Sequence, residues 1–515
     1  MIRIVAGEIP RMTDEAEAEL LAQGTAIYVR GGELVHPVHL DHATIEGVRR
    51  PAGAVMLVPC TQAWTYEQTC KVATWLKYLP GQGGRWVNAD PPPVVTTTLL
   101  GRTAAGWRFP TLRGVSTTPT LTATGRLLQD PGFDPDSGML LDLQDQFPRV
   151  PEHPTQADAG AALAVLAHPL RAMPFCTPAD KAVALSAVLT ALIRPALHTA
   201  PLHAFDAPTA GTGKSLLCDY IGIVKTGHTL PAMSQGKTDE ENEKRLSAVL
   251  RAGDPVLLID NCDRPLEGDF LCSLLTQEVV QARILGLSER MVLPSTSLVV
   301  ASGNNIITRG DVTRRTVVCR IDAQAERPDE RAFDFDLLAE ARDTRGALVV
   351  AGLTVLLAYH QAGRPVPSGF KPMGSFNDWA WVRGALLWAG AADPADTRMA
   401  VASVDSDKSE LLDIMHLWEQ AFGQQWHPVK DVHWANDMDN HTQGAQPEGI
   451  AALEAMFLEV TNRHDWSPKA VGRWLLRHKG RMVAGKVFNG KLNPNGVMVW
   501  QLARPTEERE PGEEG

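Results

Sequence analysis

The 515-residue sequence predicts a multidomain α/β protein, on three observations. Its length exceeds what one apolar core serves, so about two to four domains are expected. Between residues 200 and 325, short apolar runs alternate with helix-forming stretches, the pattern of a parallel sheet with crossover helices. Inside that stretch a glycine-rich turn, Ala207-Pro-Thr-Ala-Gly-Thr-Gly-Lys-Ser215, stands between a strand-like and a helix-like segment.

The remaining elements follow in chain order. Residues 1–150 carry short apolar segments broken by Gly and Pro, such as Ala26–Arg30 before Gly31-Gly32, and Ala54–Val58. These read as strands and turns of an α+β domain. Asp90-Pro-Pro-Pro93 is a stiff connector that cannot continue a helix. Residues 156–198 form a helical segment ahead of the core, with helices over Ala159–Ala167 and Pro178–Ile193. Pro178 sits in a first turn, where a missing N–H costs nothing. The α/β core spans 199–325, and 326–422 is mostly helical. Its apolar run Gly346–Tyr359 falls short of the roughly 20 residues that cross a bilayer and reads as a buried helix. Residues 423–449 are polar and aperiodic, as in a linker. In 450–505, helices over Ile450–Val460 and from Ser467-Pro468 to His478 precede strand-like Met482-Val483 and Val497–Gln501 around a Gly/Asn/Pro turn at 489–496, a winged-helix-like module. Residues 506–515 form an acidic tail that reads as disordered.

Composition narrows the function. A 44% hydrophobic and 21% charged content is that of a globular protein, with no membrane segment expected. The start, Met1–Glu8, meets charge before any long apolar region and does not read as a signal peptide. Seven cysteines without a CxxC pair argue against a zinc knuckle or a disulfide scaffold and fit a reducing, cytoplasmic setting. A net charge of −11 argues against indiscriminate coating of nucleic acid, while leaving room for cations gathered in a pore.

The glycine-rich turn carries the chemistry. Small residues let successive backbone N–H groups point at phosphate oxygens, with a helix N-terminus behind them. Leu202–Phe205 is the expected strand and Leu216–Val224 continues the helix. Ala210, Gly211, Thr212, Gly213, Lys214, Ser215 and Leu216 are the nucleotide-binding candidates, with Lys214 on the β/γ-phosphates and Ser215 on Mg2+. Pro208 stands where the usual first glycine would be. The apolar run Val256–Ile259 ends in Asp260, an acid at the carboxyl end of a buried strand, where ligands collect in open α/β sheets and a magnesium ion is held through water. A third strand, Leu298–Ala301, ends in Ser302-Gly-Asn-Asn305, whose Asn304 or Asn305 can hold the attacking water or sense the γ-phosphate. Arg314 and Arg315 follow, either to reach a γ-phosphate on a neighbouring subunit or to form an ordinary surface salt bridge.

With these motifs in order, the sequence resembles an AAA+ P-loop ATPase, and more narrowly the superfamily 3-type replicative helicases of phages and mobile elements, often joined to primases. The resemblance rests on Pro208–Ser215, Leu257–Asn261, Gln281–Gly286, Ser302–Asn305 and Thr313–Arg315, covers about 200–325, and extends as a helical lid to 420. It implies ATP and Mg2+ as cofactors, Lys214 and Ser215 as Walker A residues and Asp260 as the Walker B acid. Asn304 or Asn305 becomes sensor 1, and Arg314 or Arg315 the arginine finger. Arg383, in the lid, is a second sensor or an interdomain salt bridge. One departure matters: Asn261 stands where such ATPases carry a water-activating acid. An amide orients water but takes no proton, so Asp263 is the candidate base, with Glu240 and Glu241 as more distant ones.

The resemblance also implies DNA contacts. Residues 282–293 read as a hairpin, which in these helicases projects into the ring's pore; Arg283 and Arg290 are its candidates, against the alternative of surface or inter-subunit pairing. The C-terminal module adds Lys469, Arg473, Arg477, Lys479 and Arg481, a basic cluster that would lay a helix and wing on phosphates or form a solvated face. The leading expectation is an ATP-dependent DNA helicase or translocase in phage or mobile-element replication. It would be a homo-oligomer, a hexameric ring, acting on single-stranded or forked DNA beside a primase or other replication protein. The alternatives are an ATP-regulated DNA-binding initiator or scaffold with slow hydrolysis, and a defence or signalling ATPase.

Overall fold

The strand Leu202–Ala207 is buried at every position and lies within a five-stranded parallel sheet. Across that sheet the order is Ala232–Ser234, Val256–Cys262, Leu298–Asn304, Leu202–Ala207, Thr316–Arg320. A parallel strand is covered on both faces, so its sequence runs continuously apolar rather than alternating. That is why Val256–Ile259 and Leu298–Ala301 are uninterrupted hydrophobic stretches. The first strand pairs with the fourth (His203 opposite Val300) and the fifth (Leu202 opposite Thr316), so chain direction across the sheet switches beside it. The crevice outside the carboxyl ends at such a switch is where open α/β sheets bind ligands.

The computed structural model describes residues 1–504 except 41–42, 46–47, 82–83, 104–105, 284–289, 326, 332, 399–405, 434–448 and 462. The expected acidic tail and much of the expected linker lie outside the described residues. Two compact units divide the chain, Met1–Val401 and Ala402–Gly515.

In the first unit, the helix Lys214–Thr226 follows the glycine-rich turn and ends at Gly227, whose φ of +83° and N–H bond to the Ile223 carbonyl give a left-handed cap. The helix Asp239–Ala252 starts at Thr238, whose side chain accepts from the Glu241 N–H, and carries Asp239, Glu240 and Glu241 against the positive end of its dipole. Pro178–Ile193, capped by Thr177, is almost wholly buried, and Arg345–Gln361 packs on Gln156–Ala167. One apolar cluster holds sheet and helices together and reaches from Leu121 to Leu386. The N-terminal region adds a mixed sheet of Ile2–Ile4, Trp75–Leu79 and Arg85–Ala89, and an antiparallel one of Tyr28–Arg30, Glu33–His39 and Val55–Pro59. It is tied to the core. Arg30 Nη1 donates to the Leu250 and Arg251 carbonyls at 3.0 and 3.1 Å, and the Arg50–Asp254 ion pair is buried on both sides.

The second unit packs helices Ser406–Phe422, Ile450–Val460 and Pro468–His478 against an antiparallel sheet ordered His427–Pro428, Met498–Ala503, Lys486–Leu492, Met482–Val483. Two sequence expectations shift here. The long strand is Lys486–Leu492, so the turn falls at 493–497, and residues 427–432 of the polar stretch join the sheet and its flanking 3-10 turn. Among the described residues no helix is long and apolar enough to cross a membrane.

Candidate nucleotide site

The turn after Leu202–Ala207 is shaped by its glycines. Gly211 and Gly213 have φ of +76° and +114°, a region L-residues avoid. A side chain would also be crowded: a Cβ on Gly211 would lie 3.0 Å from the Asp329 Cβ, and one on Gly213 3.0 Å from the Met173 Cε. Thr212 Oγ1 donates to the Thr209 carbonyl at 2.9 Å and closes the turn. The helix then begins at Lys214 with no side-chain cap, and Ser215 and Leu216 are exposed on its first turn beside Ala210. Uncapped N–H groups at a helix start are ready donors for an anion.

The neighbouring strand ends complete the crevice. Lys214 Nζ donates to Asn304 Oδ1 at 2.6 Å and to the Thr209 carbonyl at 3.2 Å. Burial lowers the Lys214 pKa, and the negative charges of Asp206 and Asp260 work against that shift. Asn305 takes a left-handed φ of +51°, and its N–H donates to the Ala207 carbonyl at 3.1 Å, which pins the tip of Leu298–Asn304 to the start of the loop. Asp260 accepts a short hydrogen bond from the buried Ser302 hydroxyl. Asn261 sits exposed at φ +54°, where the register with Leu298–Asn304 shifts between Ile259 and Cys262. Asp263 is exposed and 4.0 Å from Arg264.

Sequence reading missed Ser302 and Asp206. Asp206 is 4% exposed, accepts from the Ile306 N–H at 2.9 Å and lies 3.6 Å from Arg320. A carboxylate in a strand buried at every position is the available signal for it.

The two candidate finger arginines separate. Arg315 donates to the Cys272 carbonyl and to Thr276 Oγ1, inside the fold, and pairs with Asp311. Arg314 also pairs with Asp311, but its side chain is 58% exposed. Arg383 is buried, with its guanidinium on Asp393 and the Lys371 carbonyl and 4.0 Å from the Phe370 ring centroid. Arg283 and Arg290 face each other in register across the hairpin Val279–Arg283 and Arg290–Pro294; their side chains and the turn between them lie outside the described residues. In the second unit, Pro468–His478 buries Val471, Trp474, Leu475 and His478 and exposes Lys469, Arg473 and Arg477; Lys479 is exposed just beyond it, and Arg481 is half-buried.

No family model matches the chain, and no curated protein matches it. Among solved structures it is similar to the apo A form of the NrS-1 C-terminal region, at 10% identity over 94% of this chain and 98% of that one, with a TM-score of 0.37. A second apo A form of that region gives 9% identity, 95% and 98% coverage and a TM-score of 0.36. The JCV helicase gives 14% identity over 45% of this chain and 59% of that one, with a TM-score of 0.22. Scores of this size carry nothing about activity, and the site stands on its own geometry.

Proposed function

We propose that the chain is an ATP-dependent DNA helicase or translocase that works as a ring of subunits, with ATP bound at their boundaries. The carrying observation is the meeting of three strand ends: the turn 208–213, Asp260 and Asn304 gather around Lys214, which is hydrogen-bonded to Asn304. The backbone N–H groups of 211–216 would receive the phosphates, and Lys214 would exchange Asn304 for the β/γ oxygens. Magnesium in such sites takes one or two protein oxygens plus phosphate and water; Ser215 and Asp260 offer that set. No group of three or more His, Cys, Asp or Glu side chains is assembled to hold a metal among the described residues. Bound magnesium would neutralise charge on the phosphates during transfer. Asn304 or Asn305 would orient water, and Arg314 would reach the neighbour's γ-phosphate once released from Asp311. Arg283 and Arg290 on the hairpin, and Lys469, Arg473, Arg477, Lys479 and Arg481 on the second unit, would take the DNA backbone. A primase or other replication protein is the proposed partner.

One observation favours a second reading, an ATP-regulated initiator or scaffold. Asn261 occupies the position after Asp260 and cannot take a proton from water. ATPase turnover with and without single-stranded or forked DNA, together with strand displacement, separates the readings for wild type and Lys214→Ala. Stimulation with displacement supports the helicase, stimulation without displacement the initiator. Turnover indifferent to DNA sinks both.

A further inference from the structure

The hairpin of the second unit ends in a rigid turn that carries two apolar side chains into solvent. Leu492 is 65% and Val497 46% exposed, at either foot of Asn493-Pro-Asn-Gly496. The turn is fixed from within. The Asn493 side chain accepts from the Asn495 and Val497 N–H groups at 3.0 and 2.9 Å, and the Asn493 N–H donates to the Val497 carbonyl at 2.9 Å. Gly496, at φ +74°, supplies the left-handed residue that closes it. The tip is therefore a stiff apolar point.

Its surroundings say what it meets. Lys479 Nζ donates to the Gly490 carbonyl at 2.8 Å, so the basic end of Pro468–His478 abuts the hairpin two residues before Leu492. Lys491 lies next to Leu492, its Nζ 4.1 Å from the Trp426 ring centroid. Lys469, Arg473 and Arg477 recur at helical spacing on the exposed face of that helix. An apolar tip on a module that carries Lys479 and Lys491 at its hairpin and Lys469, Arg473 and Arg477 on one helix face suits a polyanion with hydrophobic faces inside it. In duplex DNA those faces are the stacked bases, and Leu, Ile, Met and Phe side chains are the wedges that proteins drive between base steps.

We propose that Leu492 and Val497 form a wedge that seats on the last base pair of a DNA duplex where it meets single strands, while Lys469, Arg473 and Arg477 hold the adjoining phosphates. The assignment rests on the DNA-binding reading above and specifies its substrate as the junction. A junction is the favoured seat because its terminal pair has lost one stacking neighbour, so the unstacking that an internal step would demand is already half made.

Full-length protein is titrated against a fork carrying 2-aminopurine at the junction pair, against uninterrupted duplex and against single strand. The proteins are wild type, Leu492→Ser/Val497→Ser and Arg473→Ala/Arg477→Ala. Wild type should raise the 2-aminopurine fluorescence and bind the fork roughly ten-fold more tightly than uninterrupted duplex, because the junction spares part of the unstacking that an internal step demands. The tip variant, altered only at exposed positions, should lose both effects while keeping its duplex affinity. The arginine variant should weaken on every DNA and show a shallower salt dependence. A tip variant that keeps the fluorescence rise and the fork preference overturns the wedge, as does wild type that binds DNA without either. Wild type that binds none of the three DNAs overturns the DNA-binding reading itself.

Discussion

At the scale of the residue, the proposed ATPase turns on which group would take the proton from water. Asn261 cannot, and it stands exposed with a left-handed backbone at the bulge in its strand. Asp263 is the next acid along the chain. Asp263→Asn is expected to lower kcat by about two orders of magnitude, the scale of a lost general base, with little change in nucleotide affinity. Steady-state turnover and fluorescent-nucleotide titration check it, and unchanged turnover removes Asp263 from the role. The arginine pair allows a sharper separation. Arg314→Ala should abolish most turnover yet leave the melting temperature unchanged, because its exposed side chain loses only the surface pair with Asp311. Arg315→Ala should lower the melting temperature, because it strips donors from the Cys272 carbonyl and Thr276 in the fold. Mixing Arg314→Ala with Lys214→Ala subunits tests the placement across a boundary. Partial recovery of turnover is expected, since one kind of interface then keeps both groups.

At the scale of the element, the glycine-rich turn is more demanding than its sequence alone reveals. Gly213→Ala adds a Cβ at a φ of +114° and 3.0 Å from the Met173 Cε. Strain of this kind costs about 1–3 kcal/mol. It falls on the turn and not on the sheet. Nucleotide affinity should drop at least ten-fold while far-UV circular dichroism stays that of wild type; tight binding by the variant would mean that the turn has another bound form. Legibility follows the same logic. The helix Pro178–Ile193 and the apolar parts of the central strands were readable because caps and buried runs are local signals. The strand order was not, since it depends on which edges meet in space. Ser302 and Asp206 were hidden for that reason: their roles come from Asp260 and Ile306 on other segments. The turn of the last hairpin falls later than its Gly/Asn/Pro composition suggests, because Lys486–Leu492 alternates weakly in hydrophobicity and is defined by its pairing with Met498–Ala503.

At the scale of the whole molecule, the far end of the Lys214–Thr226 helix is where the N-terminal region, the core and the later helices converge. Lys225 is 1% exposed, and its Nζ donates to Ser116 Oγ at 2.8 Å and Thr118 Oγ1 at 3.3 Å. Thr117 Oγ1 donates to the Lys225 carbonyl at 3.1 Å, and Arg345 Nε donates to the Ile223 carbonyl at 2.8 Å while its guanidinium pairs with Asp145. Burial, and secondarily the positive charge of Arg345, push the Lys225 pKa down from 10.5 to about 7. The unfolded chain keeps its proton up to the ordinary lysine value, so between about pH 7 and 10.4 it binds more protons than the folded chain. Stability must therefore rise with pH across that window through this group. Below pH 7 both states are charged and the fold carries the full cost of the buried ammonium. Lys225→Met fills the same space without a charge. Relative to wild type, it should be most stabilising at pH 6–7, by a few kcal/mol at the scale of such a shift, and the advantage should shrink steadily towards pH 9.5. Urea or thermal melts of the pair across that range read the difference, in which groups common to both cancel. Parallel profiles would mean that the lysine stays charged in the fold. A converging pair would mean that the junction between the N-terminal region and the Lys214–Thr226 helix is built around a neutral lysine.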